Sequence, residues 1–392
     1  MCVFCFLNKE NQKSLRDRAQ ISTDRFEHTL SFYKKIYLEG LNSALDEPVC
    51  EIHKKMHNEK YLSALRTISL ESIGKIFDIF LDAYIFWINN DSTKATKTIC
   101  DYLEENRLFK EISLQDKLMF RVRYSESRLS HWDMFHIPFN KRYLIRNQRY
   151  SLVGRPMLYL GFSSKYVLKE LGYNENDKNY YISGFYLKDN EKLKVCDFRY
   201  LMPDFQDAVI ENLIEDENEN NEEFLQRFKI SVIASICSFK KRSQNNDFCE
   251  EYILPQIISE IVNEKGYQGL LYSSTKTEEN SSNTNSFYDA NAVIFTKYES
   301  SKFYDVTYVY DKALYQKFVI TTPKKIEDIT KTDEKLVKLT LSKAVKNNII
   351  DTSNSFLCNL VSDALSNNFD SDEIEYIISR SIAYEIFVNT VY

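Results

Sequence analysis

The feature of this chain that most constrains its fold is a change in hydrophobic periodicity near residue 112. Before this point, apolar residues recur at the i, i+3, i+4 and i+7 spacing of an amphipathic helix. After it, the segment 117–124 alternates apolar and polar residues as a strand does. The helical spacing is clearest in Phe77, Phe80, Leu81, Tyr84 and Ile85. The pattern therefore predicts a helical part followed by a part that mixes strands and helices.

This change predicts an α+β protein of three parts. They are a helical N-terminal domain over residues 1–112, a central α/β domain over 113–298, and a C-terminal accessory region over 299–392. In the central domain we expect strands near 157–162, 179–187, 193–201, 268–273 and 291–296, and helices over 164–171, 222–242 and 247–264. The strands 179–187 and 193–201 are expected to form a hairpin. In the accessory region we expect strands over 303–311 and 314–321 and then helices over 333–392.

The overall charge narrows the class of partner. The chain has 51 Lys and Arg residues against 57 Asp and Glu residues, a formal net charge of −6. This balance disfavours a general polyanion binder, so nucleic acid is not an expected partner. Apolar runs are too short to span a bilayer, and the first residues lack the basic region of a signal peptide. We therefore expect a cytoplasmic protein without membrane contact.

Four residues near the N-terminus have the spacing of metal ligands. Cys2 and Cys5 form a CxxC pair, Cys50 precedes His53 by three positions, and His57 follows one helical turn later. Three thiolates and one imidazole are a common ligand set for structural Zn²⁺. Only one half of the set is a CxxC, so buried thiols in a reducing compartment are the alternative.

A local charge inversion stands out in the segment 117–150. It contains eight basic residues against two acidic ones, in a chain that is acidic as a whole. Arginine is prominent there, and its planar guanidinium grips phosphate or carboxylate through paired hydrogen bonds. The P-loop, the Rossmann glycine motif and the common hydrolase motifs are absent from the sequence. An anionic ligand is one reading of this basic segment, and a solvated charged surface is the other.

Several motifs, in this order along the chain, resemble the RES domain family. They are Phe120-Arg121-Val122-Arg123, the segment 133–142, Arg149-Tyr150-Ser151-Leu152-Val153-Gly154, Leu158-Tyr159-Leu160-Gly161, Glu170, Gly269-Leu270-Leu271-Tyr272-Ser273-Ser274, and Asn291-Ala292-Val293-Ile294-Phe295. The resemblance covers about residues 117–297. It implies a fold similar to ADP-ribosyltransferase toxins and an activity that degrades NAD⁺ by hydrolysis or phosphorolysis. The catalytic positions that it implies are Arg121, Tyr159, Glu170 and Ser274, and the NAD⁺-binding positions are Arg149, Tyr150 and Asn291.

The implied chemistry suits these residue types. Cleavage of the nicotinamide–ribose bond passes through an oxocarbenium-like state, which a carboxylate such as Glu170 can stabilise. Arg121 and Arg149 would bind the pyrophosphate, and Tyr159 would contact the nicotinamide ribose. Ser274 would position the ribose or the attacking group. Nicotinamide leaves without protonation, so a site without a histidine pair is consistent with this reaction.

Each of these residues also has a structural interpretation. Glu170 could be a solvated helix residue, and Tyr159 could belong to the core. His136, close to one of the family motifs, is more typical of a hydrogen-bonded structural residue. Ser273 competes with Ser274, because a shift of one residue along a strand turns the side chain to the other face.

The helical N-terminal domain is similar to HEPN proteins but lacks their ribonuclease signature, since Arg25 precedes His28 by only three positions. A scaffolding, sensing or dimerising role is expected instead. The resemblance as a whole implies a toxin or antiphage effector that acts with an antitoxin or regulatory protein and forms a homo-oligomer. The alternatives are an ADP-ribosyltransferase that modifies a macromolecule, and a non-catalytic module that senses a nucleotide.

Overall fold

A computed structural model describes residues 1–54, 59–115, 117–174, 176–188, 191–202, 221–243, 248–275, 290–298 and 309–330, with residues 381, 382 and 385. The fold is α+β with helical flanks, as predicted. It divides into two compact units. Unit 1 comprises Met1–Ile112, Ile145–Arg155 and Lys194–Ala290, and unit 2 comprises Ser113–Leu144, Pro156–Leu193 and Asn291–Tyr392. The first division falls where the periodicity changes, whereas the predicted central domain contributes segments to both units. Three independently folding domains therefore stay a prediction.

The elements follow the chain in this order. The helices are α1 (Val3–Phe6), α2 (Lys9–Ile21), α3 (Phe26–Asp46), α4 (Glu51–Lys54), α5 (Glu59–Arg66), α6 (Leu70–Ile88), α7 (Ser92–Glu105), α8 (His131–Met134), α9 (Ser164–Glu170), α10 (Asn221–Ile236), α11 (Ile253–Glu264), α12 (Lys312–Gln316) and α13 (Ile326–Thr330). The strands are β1 (Glu111–Ser113), β2 (Met119–Tyr124), β3 (Met157–Gly161), β4 (Tyr180–Leu187), β5 (Lys194–Asp197), β6 (Gly269–Ser273), β7 (Ala290–Phe295), β8 (Phe318–Ile320) and β9 (Lys324–Lys325).

The helices of unit 1 pack through aromatic side chains. Tyr33 of α3 lies edge-on to Phe77 of α6, with ring centroids 5.6 Å apart, and to Phe239 at 5.3 Å. All three rings are buried, which removes a large apolar area from water. Side-chain caps fix where α2, α6 and α7 begin, such as Ser69 accepting a hydrogen bond from the Ser72 amide at the start of α6. The helical pattern predicted for this part is thereby confirmed.

The strands β5 and β6 of unit 1 pair in parallel, with Val195 opposite Gly269. Just beyond β5, Arg199 donates from Nε and Nη2 to the two carboxylate oxygens of Asp197, at 2.8 and 2.6 Å. Both side chains are buried. Because a buried charge without its partner is costly, this ion pair fixes the backbone that follows β5.

Unit 2 is built on an antiparallel sheet in the order β7-β3-β2-β4-β8, and β9 also pairs with β4. The predicted hairpin between 179–187 and 193–201 is wrong, since β4 pairs with β2, β8 and β9, and β5 pairs with β6. The reason is burial. Every residue of β4 is buried, so this strand lies inside the sheet and needs a partner on both sides.

The accessory region is described over residues 309–330. The predicted strand 314–321 begins later than expected, because Asp311 accepts a hydrogen bond from the Leu314 amide and starts the helix α12. The strand β8 follows at Phe318–Ile320. Most of the predicted strand 303–311, and nearly all of the predicted helices over 333–392, lie outside the described residues.

Candidate functional site

Glu170 lies at the C-terminal end of α9 in unit 2. Ser163 caps the start of this helix by accepting a hydrogen bond from the Tyr166 amide. At its other end Gly172 has a φ of +71°, and the amide of Tyr173 bonds to the Leu168 carbonyl at 3.0 Å. This is the Schellman arrangement that ends many helices. The helix predicted over 164–171 is confirmed, and its closed end sets the direction of the Glu170 side chain.

The Glu170 carboxylate is oriented by an amide from another strand. Asn291 of β7 donates from Nδ2 to Oε1 of Glu170 at 2.7 Å. The Asn291 side chain is buried and that of Glu170 is half-buried. A charge-assisted hydrogen bond of this kind fixes which carboxylate oxygen remains directed away from the amide.

Gly161 of β3 permits this contact. It pairs with Asn291 across the sheet, and a Cβ atom at this position would lie 2.9 Å from Oδ1 of Asn291 and 2.9 Å from Cγ1 of Val167. Real Cβ atoms do not approach other atoms so closely. The glycine of the Leu-Tyr-Leu-Gly motif is thus required so that α9 and β7 can approach β3.

Tyr159 lies on β3 near this pair, and its electrostatic effect on Arg121 of β2 shows that these two side chains are close to each other. Tyr159 is two residues before Gly161, so the two point to the same face of β3. The register of β2 with β3 is limited to Phe120 opposite Gly161, whereas β2 pairs with β4 at six positions. Beyond Phe120, β2 therefore continues its pairing with β4 and not with β3.

The Arg121 guanidinium is enclosed without a hydrogen-bonding partner for one of its donors. Its Nη1 is buried and makes no hydrogen bond within the described structure. Burial and, to a smaller extent, the nearby Arg123 lower the pKa of Arg121 to about 9, although Tyr159 acts in the opposite direction. At neutral pH the group is still a cation. A half-buried cation with a buried, unused donor could bind an anion.

The basic segment 117–150 does not act as one surface. Arg123 donates from Nη1 to the Asp133 carbonyl, and Arg128, Arg142 and Arg146 are exposed. The residues also belong to different units. Within this segment, the unpaired buried donor of Arg121 is what distinguishes it from an ordinary charged surface.

In unit 1 three predicted residues meet at the turn after β6. Arg149 donates to the Cys237 carbonyl at 2.6 Å and to Oγ1 of Thr275 at 3.4 Å. Tyr150 is buried, and its ring lies 4.5 Å from that of Tyr272. Ser274 lies between Tyr272 and Thr275 and is almost completely buried, at 9% exposure. Arg149 and Tyr150 therefore hold the turn that carries Ser274.

The choice between Ser273 and Ser274 is narrowed by one contact. The hydroxyl of Ser273 accepts a hydrogen bond from the Tyr200 amide at 3.0 Å. A hydroxyl used in this way supports the backbone, so Ser273 has a structural role at this turn.

His136 is a structural residue, as its surroundings in the sequence indicated. Its Nδ1 lies 2.7 Å from the Ile137 carbonyl, and its Nε2 accepts from the Asp311 amide at 2.9 Å. These contacts place the proton on Nδ1. Burial lowers the pKa of His136 to about 4, so the ring is neutral near pH 7.

The predicted metal ligands come together in unit 1. The ligand atoms of Cys2, Cys5, Cys50 and His53 all lie within 4.8 Å of one another. The distances from Cys50 Sγ to the sulfurs of Cys2 and Cys5 are 3.7 and 3.9 Å. His53 Nδ1 lies 3.4 Å from Cys2 Sγ, 3.7 Å from Cys5 Sγ and 2.9 Å from Cys50 Sγ. The fifth residue considered, His57, is outside the described residues.

These separations match the edges of a coordination tetrahedron. Bond lengths of about 2.3 Å to sulfur and 2.0 to 2.1 Å to nitrogen give edges of about 3.8 Å between sulfurs and about 3.6 Å between sulfur and nitrogen. Apart from the shorter Cys50–His53 distance, the measured values agree within a few tenths of an ångström. The cluster could therefore hold a metal such as zinc.

The pKa shifts differ between the ligands of the cluster, and a bound cation would change them together. Burial acts to raise the pKa of Cys2, but hydrogen bonds from the backbone amides of Cys50 and Cys5 leave this pKa below the ordinary value. Burial and the neighbouring Cys2 raise the pKa of Cys5 to about 12. Burial lowers the pKa of His53, which favours the neutral imidazole that binds metals. A dication at the centre would allow all three thiols to ionise together.

Some contacts in these regions were not predicted from the sequence. The bond from Asn291 to Glu170 joins positions 121 residues apart, and the anchoring of Arg149 at Thr275 spans 126. Gly161 belongs to the Leu-Tyr-Leu-Gly motif, but its packing role depends on the register of β3 and β7. The order of the motifs was the signal available for these contacts.

Comparison with known proteins finds a relative in Bacillus subtilis (strain 168) named "Putative toxin YopC", which is 30% identical over 257 residues. The similarity covers 63% of this chain and 56% of that protein, so the chain spans about half the length of the relative it matches. No family model and no solved structure matches the chain. The similarity is thus to a protein named as a toxin, and likeness to the ADP-ribosyltransferase fold stays a prediction. None of the helices in the described ranges is long and apolar enough to cross a membrane.

Proposed function

We propose that this protein is a toxin that consumes NAD⁺ by cleaving the bond between nicotinamide and ribose. The observation that carries the proposal is the arrangement around β3. There Asn291 orients the Glu170 carboxylate on the face of the sheet that Gly161 and Tyr159 share, and Arg121 of β2, which interacts electrostatically with Tyr159, has a buried donor without a partner. The similarity to a protein named as a toxin supports the biological role.

In this proposal Glu170 acts on the ribose. As the bond to nicotinamide lengthens, positive charge develops at the anomeric carbon and ring oxygen, and a fixed carboxylate stabilises it. Asn291 holds Oε1, so the other carboxylate oxygen faces the sugar. Nicotinamide departs as a neutral molecule, and no proton has to be delivered to it.

Arg121 would bind a phosphate oxygen of the dinucleotide. Its unpaired Nη1 then gains a charge-assisted hydrogen bond, and its cost of burial is offset. Tyr159 would bound the nicotinamide ribose. The resemblance to the RES family assigns Ser274 to positioning of the ribose or of the attacking group, and assigns Arg149, Tyr150 and Asn291 to NAD⁺ binding; these assignments stay predictions.

The direct test is release of nicotinamide from NAD⁺ by the full chain, with and without phosphate. Hydrolysis yields ADP-ribose, whereas phosphorolysis forms a ribose–phosphate bond and requires phosphate. Glu170→Gln keeps the shape and removes the charge, and we expect a loss of about 10² to 10³-fold. Glu126→Gln, an exposed glutamate in the same unit, is the matched control. Equal release by wild type and Glu170→Gln, or no release by wild type, would falsify the proposal.

The same assay separates the alternative activities. With NAD⁺ labelled in the adenylate part, label on protein or nucleic acid would identify a transferase. Thermal stabilisation by NAD⁺ without any turnover would identify a sensing module. Because NAD⁺ is a cofactor that many enzymes share, we also propose that an antitoxin or other regulatory protein restrains the activity. The homo-oligomer that the resemblance implies is part of the same proposal.

We further infer that the metal of the cysteine and histidine cluster is Zn²⁺ in a structural role. Three thiolates and an imidazole leave no open coordination position, as in structural zinc sites. Elemental analysis of protein purified without chelator should give about one zinc per chain. Cys5→Ser should lower this content, and Cys100→Ser, which changes a thiol outside the cluster, should not. Wild-type protein that contains no zinc and gives no thiolate–cobalt absorption with Co²⁺ would overturn the inference.

A further inference from the structure

The short helix α1 depends on other segments to complete its ends. It has only four residues, and its N-cap residue Cys2 makes no side-chain capping hydrogen bond. The carbonyl of Phe6 accepts hydrogen bonds from the side chains of Asn11 and Gln12, both at 2.7 Å. The carbonyl of Leu7 accepts one from the hydroxyl of Tyr200 at 2.5 Å. These contacts satisfy carbonyl groups that a helix cannot satisfy by itself.

Tyr200 lies in a segment that is fastened along the end of β6. The amide of Phe198 bonds to the Leu271 carbonyl at 2.9 Å, and that of Tyr200 bonds to Ser273 Oγ at 3.0 Å. The amide of Leu201 bonds to Ser231 Oγ at 3.1 Å. Tyr200 is 8% exposed, so its hydroxyl contact is shielded from water. Its backbone therefore touches the residue directly before Ser274, and its side chain touches the residue after α1.

Two residues of the metal cluster belong to α1 or directly precede it. Cys2 and Cys5 lie one helical turn apart and direct both sulfurs towards Cys50 and His53. A helix of four residues is not stable by itself in water, because nucleation costs more than one turn of hydrogen bonds returns. Val3, Phe4 and Phe6 are buried and hold α1 by packing, and what holds Cys2 and Cys5 adds a second constraint on the position of the Leu7 carbonyl.

We propose that the metal cluster braces the turn that carries Ser274, through Leu7 and Tyr200. The functional meaning rests on the role proposed above for Ser274, whereas the mechanical link can be tested without it. Tyr200 is a positioning residue. When metal is bound, α1 presents a fixed carbonyl to Tyr200, and Tyr200 holds Ser273 and the following turn. When metal is lost, α1 frays and the turn gains freedom.

The test is amide hydrogen exchange of the full chain, read on peptides covering residues 267–275. Cys5→Ser and Tyr200→Phe should each accelerate exchange there, by about fivefold for the loss of one hydrogen bond at Tyr200. The matched controls are Cys100→Ser and Tyr102→Phe, which change a thiol outside the cluster and another buried tyrosine of unit 1. Zinc content is measured on every variant. Unchanged exchange over 267–275 in either Cys5→Ser or Tyr200→Phe, with zinc lost from the former, would overturn the proposal.

Nicotinamide release provides the second readout. We expect Tyr200→Phe to lower kcat about fivefold with full zinc occupancy, and to change KM little, because the turn is mispositioned and the dinucleotide contacts of unit 2 are intact. If wild type releases no nicotinamide, the proposed function fails and the exchange data still decide whether the brace exists. Accelerated exchange with an unchanged kcat would confirm the link and remove Ser274 from the reaction.

Discussion

Two short helices each carry candidate functional residues, Glu170 on α9 and Cys5 on α1, and the two helices are held in different ways. In unit 2, α9 begins with the Ser163 cap, ends in a Schellman turn at Gly172, and packs Leu168 against the core. In unit 1, α1 begins at Cys2 without a side-chain cap, and two of its residues face the cysteine and histidine cluster. The ends of α9 are completed by its own local sequence, whereas α1, beyond its buried apolar side chains, would gain its stability from the proposed metal.

This difference bears on what each region can do. A helix with complete caps keeps Glu170 in place whether or not substrate is present, which is the preorganisation that electrostatic catalysis requires. A helix that depends on a metal changes its order when the metal leaves, so it can report on metal supply or on oxidation of the thiols. Whether the order of α1, but not that of α9, depends on a bound metal can be tested directly.

The largest effect is expected from removal of the metal. Cys5→Ser, or a strong chelator, should destabilise unit 1 by more than about 4 kcal/mol, because the ligands must then remain as buried, unpaired polar groups. Hydrogen exchange in α1 and α4 should rise first, while exchange in α9 stays unchanged. Equal exchange in α1 with and without chelator, in protein that holds zinc, would remove the distinction between the helices.

A second test concerns His136, the buried histidine of unit 2. The pKa of His136 in the fold is about 4, below the value of about 6.5 for an unfolded chain, so the unfolded state binds its proton first as the pH falls. The contribution of neutral His136 to the free energy of unfolding is therefore complete above about pH 6.5. It is lost as the pH falls towards 4, and the loss is at most about 3 kcal/mol.

This pH dependence can be measured by urea unfolding followed through Trp132, which stacks on Tyr315 at 3.8 Å between ring centroids. His136→Gln should flatten the change in unfolding free energy between pH 4 and 6.5. His131→Gln, on the neighbouring helix α8, should not. A slope that His136→Gln leaves as steep as in wild type would show that other groups set the acid stability.

The sequence predicted the elements of the site better than their connections. The CxxC and the Cys-x-x-His spacing were sufficient to predict the cluster, because each half lies within one helical turn. The helix 164–171 was predicted because its cap and its terminal glycine are local signals. The contact of Asn291 with Glu170, and that of Tyr200 with Leu7, could not be predicted, since they depend on strand register and on packing between remote segments.

The wrong hairpin has the same origin. The strand β4 reads as a good hairpin partner for the segment that follows it, because pairing with the next strand is the commonest choice. Because β4 is completely buried, it needs a neighbouring strand on each side. These neighbours are β2, which precedes β4 in the chain, and β8, which follows it. Local patterns identify a strand, but its neighbours are decided by which faces the whole sheet must cover.

A third test concerns the orientation of Glu170. Asn291→Ala removes the hydrogen bond to the carboxylate, and we expect nicotinamide release to fall about 30-fold, corresponding to about 2 kcal/mol. The melting temperature should change little, because the half-buried carboxylate can turn to water. Asn291→Asp would place a second carboxylate beside that of Glu170, and it should lower nicotinamide release more than Asn291→Ala does. If Asn291→Ala and wild type release nicotinamide at equal rates, the hydrogen bond from Asn291 does not position the Glu170 carboxylate.

The smallest effect separates the two serines at the start of α9. Ser163→Ala removes the acceptor for the Tyr166 amide and should cost about 1 kcal/mol of unfolding free energy. Ser164→Ala should cost less, because the buried Ser164 hydroxyl has no hydrogen-bonding partner within the described structure. The loss of the cap should also raise exchange in the first turn of α9 without affecting Glu170 at its far end, where Gly172 and Leu168 hold the chain. If Ser163→Ala proves no more destabilising than Ser164→Ala, α9 is held by packing alone, and its contrast with the metal-held α1 does not depend on its cap.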